Sequence, residues 1–130
     1  MAEFVASAIN DMLDWLTGIA DPAATATRYI TTYNGDPQGA GSENISTLTG
    51  SANRINMTTA MAAASGGSAA SDTDIVFTSS ASAGATVDYV AVFDAQTAGN
   101  LLASTAVTSR TVLTGDSLSI LSGDLTFAIT

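Results

Sequence analysis

The sequence predicts a mainly β protein, an antiparallel β-sandwich or jelly-roll-like domain preceded by one N-terminal amphipathic helix. Helical spacing of apolar residues is clearest in the first 20 positions. Beyond Pro22 the apolar residues fall instead into short runs with a period of two, broken by Gly, Asn and Asp. Runs of that length, recurring every 8 to 12 residues or so, point to a sandwich or barrel and not to alternating strands and helices. The organisation is therefore a helix over 1–20 and a sandwich over 21–130.

At about 100° per residue, Phe4, Val5, Ala8, Ile9, Met12, Leu13, Trp15, Leu16 and Ile19 fall on one half of a cylinder. Glu3, Ser7, Asn10, Asp11, Asp14 and Thr17 take the other half. The Asp21-Pro22 pair predicts the stop, because the residue before proline is pushed out of the helical region. Two roles are open to the apolar stripe: packing onto the chain's own sheet, or docking onto another chain as a helix in a groove.

Arg28 to Tyr33 is β-rich and runs into the turn residues Asn34-Gly35-Asp36-Pro37, so 35–44 is a loop. Strands are expected over 45–49 and 53–59. The small-residue stretch 61–74 has a turn at Gly66-Gly67, and its alanines leave a helix open as the alternative. Strand character resumes at Asp74 to Ser79. Residues 87–105, VDYVAVFDAQTAGNLLAST, form a β-hairpin. Val87 to Phe93 alternate, Gly99 and Asn100 suit a tight reversal, and Asp94 can bond its own backbone. Three strands follow, over 104–113, Asp116 to Leu121, and Leu125 to Thr130. Gly115-Asp116 and Gly123-Asp124 mark the breaks.

Composition removes several function classes. Twelve acids face three arginines and no lysine, for a net charge of −9. Nucleic-acid binding needs a basic patch to neutralise phosphates, and three scattered arginines cannot build one. The polar side of the helix lacks the basic residues of a membrane-surface helix. No apolar run approaches the roughly 20 residues of a membrane span, and MAEFVASAIND lacks the positive start of a secretory signal. Of the apolar residues, 24 are alanine, and Ser plus Thr number 34. Few large side chains make a thin core, since burial contributes about 0.8 kcal/mol per CH₂. Such a chain is expected to gain stability from neighbouring copies.

With no His and no Cys, neither a Ser-His-Asp nor a Cys-His site can be assembled, and thiolate metal sites are excluded. Carboxylates are available for glycoside hydrolysis, yet the few aromatics are needed for the helix stripe and strand interiors. The expectation is a protein without enzymatic activity, cofactor or small-molecule substrate. Asp72-Thr73-Asp74 and the Asp94–Asn100 loop offer oxygen ligands for calcium, but lack the spacing of an EF-hand loop. Turn bonding by these aspartates is the simpler expectation.

The order of pieces carries a resemblance. YITTYNGDPQGAGSE follows the helix; a small-residue stretch leads to DIVFTSSASAG, then VDYVAVFDAQTAGNLLAS, then TGDSLSILSGDLTFAIT. This resembles a family of small virion proteins of tailed bacteriophages, known as tail-fibre or tail proteins, with relatives that serve as capsid cement. Ala98 stands where a glycine is common, and Asn53-Arg54-Ile55 stands in place of a basic-aromatic YAR element. The resemblance implies a virion component. Lacking any internal repeat of a fibre shaft, it is expected on the capsid exterior as a homotrimeric cement or decoration protein bridging the major capsid protein. A tail appendage bound to tail proteins is the alternative, and a non-viral acidic binding module a second one. The expected partner interface is Phe4, Ala8, Met12, Trp15, Leu16 and Ile19 of the stripe, with Asp36, Pro37, Gln96 and Asn100 of the loops.

Overall fold

A computed structural model describes residues 3–20, 27–44, 54–78 and 84–128. It is mainly β and antiparallel with one N-terminal helix, as the sequence predicts. The helix starts later and ends earlier than its periodicity suggests. Glu3–Phe4 forms a short strand, β1, and α1 then runs over Ala6–Thr17. Its stop is Gly18, at φ 76°, where the N–H groups of Gly18 and Ile19 bond the carbonyls of Trp15 and Asp14. Glycine reaches that left-handed cap without strain, so the helix ends before the Asp21-Pro22 signal is needed.

The main sheet is built on the predicted hairpin. β2 (Tyr29–Asn34) turns through 35–41 into β3 (Ser42–Glu43), so the predicted loop is itself a hairpin. The strand expected over 45–49 lies outside the described residues. Of the strand expected over 53–59, only β4 (Ile55–Asn56) forms. Asn56 Oδ1 accepts the Thr58 N–H at 2.9 Å and turns the chain into a 3-10 turn at Thr58–Ala60. The small-residue stretch makes β5 (Ser68–Ala70) and no helix, with Gly66 and Gly67 both at positive φ in the preceding turn.

β6 (Ile75–Thr78), β7 (Ala85–Phe93) and β8 (Leu101–Val112) follow. The two runs expected at 101 and at 104–113 are one strand, because no turn residue interrupts them and β7 pairs along their length. β9 (Ser117–Ile120) and β10 (Thr126–Ala128) complete the described elements. The main sheet has the order β1-β8-β7-β2-β3, with β4 also on β2. β10-β5 and β6-β9 form two small antiparallel sheets.

These layers meet in one core. Ile30, Val90, Val92 and Ala103 of the main sheet join Ile75, Phe77 and Leu125 in a single buried cluster. Val87 is buried in it too, three positions from Val90, so the alternation slips a step. The slip falls where β8 has two more residues than β7, between the Val87–Arg110 and Tyr89–Ala106 pairs. Ser71 ties the second layer together: its hydroxyl accepts the N–H groups of Gly123 and Leu125, at 3.1 and 3.3 Å.

Phe77 is wholly buried and is among the largest side chains in this core. Phe77→Ala should lower unfolding free energy by about 3–5 kcal/mol, a large share of the roughly 5–15 kcal/mol of a typical domain. Denaturant titration of wild type and variant measures it.

Candidate functional site

The feature most open to a partner lies under α1. β1 pairs Phe4 with Ala103, and the Val5 N–H bonds the Leu102 carbonyl at 2.9 Å, so the start of the helix is fixed to β8. Phe4 of β1, and Ala8 and Met12 a turn apart on α1, are half-buried on that side. Trp15 continues the same side of the helix but is 57% exposed, and Ile19, past the Gly18 cap, is 76% exposed. Helix and sheet thus stop touching partway along, leaving an open groove of about 300 Å³. Ala8, Met12 and Trp15 form its upper wall with Phe4, and Met57, Leu102 and Phe127 line it from the body. Phe4 and Phe127 lie with ring centroids 6.3 Å apart.

Arg28 and Asp11 supply the polar lining of the groove. Arg28 bonds the neighbouring Thr27 carbonyl at 3.3 Å and has no carboxylate within ion-pair distance among the described residues. A second apolar line runs along the outer flank of α1, where Ile9, Leu13 and Leu16 are 42%, 50% and 72% exposed. No helix residue is fully buried. The stripe therefore packs on its own sheet only near its start.

Of the expected interface, the groove brings together Phe4, Ala8, Met12 and Trp15. Leu16 and Ile19 do not line it and are exposed. Asp36, Pro37, Gln96 and Asn100 do not line it. Asp36 and Pro37 sit in a closed turn in which the Asp36 carbonyl accepts the Gly39 and Gly41 N–H groups and its carboxylate the Gln38 N–H. Gln38 fastens that turn to Ser104 on β8, Nε2 donating to Oγ at 3.3 Å. Arg28, Met57, Leu102 and Phe127 were not expected at the site. Met57 is an apolar residue of a short, weakly patterned segment, Phe127 falls in the strand expected over Leu125 to Thr130, and nothing local to Arg28 marks it.

The 94–100 loop belongs to a different, polar assembly. Asn100 donates its N–H and its side-chain amide to the Asp94 carboxylate, at 2.7 and 2.9 Å. Gln96 is exposed at the tip. Under the loop, Arg54 is 6% exposed and donates to Glu43 through Nε and Nη2, at 2.7 and 3.1 Å. Its Nη1 donates to the carbonyls of Ala95 and Ala98, at 3.0 and 2.5 Å, and its guanidinium lies 3.5 Å from the Phe93 ring centre. Ala98 takes φ 53°, a left-handed backbone that explains why glycine suits this position. Burial raises the Tyr33 phenol pKa, and the Glu43 carboxylate adds to the effect. Of the two acidic loops that offer oxygen ligands, Asp94 bonds within its own loop, whereas Asp74 accepts the N–H of Ser122, 48 residues on, at 2.8 Å.

Two predictions follow from these placements. In dilute protein, Trp15→Ala should change stability by no more than about 0.5 kcal/mol, since the ring is largely in water. Thermal unfolding checks it. The Asn100 N–H, then its side-chain amide, holds the Asp94 carboxyl below its usual value. The stability this gives is fully present above the ordinary carboxylate pKa of about 3.9 and is lost as pH falls through the depressed folded value. The stability gap between wild type and Asp94→Asn should therefore be widest near neutral pH and close in acid, as denaturant midpoints across the range would show.

No curated protein matches the chain significantly. The model of the podophage GP4 fiber I protein gp80 family matches residues 3–128, which takes in α1, the hairpin and both small sheets. The chain belongs to that family.

Proposed function

We propose that the protein is a structural subunit of a podophage tail fibre or tail appendage, acting by binding and without chemistry of its own. The match to a fibre family over nearly the whole chain carries this reading. It favours the tail alternative over capsid cement, since the family's description names a fibre. The missing shaft repeat fits a fibre built from several proteins, in which a non-repeating domain forms a joint or an end. The groove and the exposed helix flank are surfaces for a neighbour, and the clamped loops around Arg54 are a firm base for contacts. The −9 charge favours a site away from packaged DNA.

Phage particles lacking the protein test this directly. They should package DNA and withstand heat like the wild type, yet adsorb poorly to host cells, and labelled protein should sit on the tail. Particles that adsorb normally but lose DNA at lower temperature would return the protein to the capsid surface as cement.

A further inference from the structure

We infer that Asn34 is a self-modification site, where the Gly35 backbone nitrogen closes on the Asn34 side chain and water then leaves an aspartyl or isoaspartyl link. The Asn34-Gly35 pair opens the turn between β2 and β3. Asn34 is exposed, and its side chain bonds no group among the described residues. The Gly35 N–H, which supplies the attacking nitrogen, is likewise unbonded among them. Gly35 takes φ 86°, and a Cβ there would stand 3.2 Å from the Gly41 Cα. The turn therefore requires a glycine at the one position where a side chain would shield that nitrogen.

The chemistry balances with water alone. The Gly35 nitrogen gives up its proton and bonds Asn34 Cγ, while the Cγ–Nδ2 bond breaks and that nitrogen leaves as ammonia. The product is a cyclic imide joining the two residues. Water opens the ring at either carbonyl. Opening at Cγ leaves an ordinary aspartate; opening at the main-chain carbonyl carbon routes the chain through Cγ, as isoaspartate. One water is consumed, one ammonia is released, and nothing is oxidised or reduced. Ring closure requires Asn34 to rotate out of the extended backbone, and its place in the sheet permits this. β7 pairs with β2 only as far as Tyr33, so Asn34 is held by β3 alone, through the terminal pair with Ser42.

The fold protects the other described asparagines. Asn10 lies within α1, whose hydrogen-bond ladder engages the Asp11 N–H. Asn44 is buried and donates to the Thr86 carbonyl at 2.8 Å. Asn56 precedes Met57, whose N–H bonds the Arg28 carbonyl at 2.9 Å. Asn100 commits its side-chain amide to the Asp94 carboxylate. None of the four is followed by glycine. At Asn34 the change adds a negative charge, and isoaspartate adds a main-chain atom. That atom enters just ahead of the turn that Gln38 fastens to Ser104, and beside β3, whose Glu43 meets Arg54. Modification thus loosens the hairpin that carries Asp36 and Pro37, two residues expected at a partner interface.

The inference does not depend on the fibre assignment, and purified full-length protein tests it. Folded protein is kept in neutral buffer, sampled over days, cut after arginine and read by mass spectrometry. The peptide released by cuts after Arg28 and Arg54 should gain one mass unit, placed at Asn34 by fragmentation. In heavy-oxygen water the product should carry one solvent oxygen, and an isoaspartyl methyltransferase should label it. Asn44, Asn56 and Asn100 should stay unchanged over the same interval. Asn34→Gln should abolish the gain at that position, because the longer side chain must close a larger ring. Should that variant fail to fold, the comparison among asparagines of the wild type still decides. An Asn34 that stays intact overturns the inference. So does a gain that appears equally at Asn44 or Asn56, one that needs denaturant, or a product containing no isoaspartate.

Discussion

The buried guanidinium of Arg54 is the constraint on which the polar half of the molecule depends. One side chain ties β3, through Glu43, to the loop between β7 and β8, through two carbonyls, and covers Phe93. A buried cation is tolerable only when its donors are satisfied and its charge is met. Here the fork of the guanidinium matches the carboxylate while its other edge serves the loop, which a lysine could not do. Removing one partner of such a pair leaves the other charge stranded at a cost of about 3–5 kcal/mol. The loop is held from its own side as well, by Asp94 and Asn100. Asn100 is thus spent on loop structure, while Gln96 at the loop tip faces solvent.

That clamp sets the tip of the β7–β8 hairpin, and the hairpin positions everything at the other side of the sheet. β8 is long enough to pair with β7 and still hold β1 at Ala103 and Ser104. Since β1 leads straight into α1, the helix is anchored at one end only. Its far end stands clear of the body with Trp15, Leu16 and Ile19 in water. A thin, alanine-rich core has too few large side chains to cover both faces of the sheet and a wide helix stripe. The apolar surface left over is concentrated on α1 and the groove below it.

The chain therefore combines a rigid polar assembly with an unsatisfied apolar one. Rigid loops limit the conformational entropy lost on contact, and an apolar groove supplies the burial that drives it. Such a division suits a part in an assembly whose work is to hold neighbours. Membership of a fibre family agrees with it. Among the described residues no group of three or more acidic residues is gathered as a metal site, and Asp74 and Asp94 are engaged with backbone N–H groups.

Composition and periodicity were enough to read the class of the protein and its punctuation. A period of two between glycines and aspartates marked the hairpin, and the Gly66-Gly67, Gly115 and Gly123 turns fall where local backbone chemistry puts them. Helix α1 was legible because its stripe is a local pattern. What that stripe touches was not, since contact depends on where β8 lies, some ninety residues along the chain. Tertiary structure alone decided that Met12 is half-buried while Leu16 stays in water, and that Arg28, Met57, Leu102 and Phe127 share one groove. It also decided that Arg54, in a segment with little pattern of its own, becomes a buried anchor. Periodicity reports which face of an element is apolar; only long-range packing fixes what that face meets, because the free energy of a contact belongs to both sides of it.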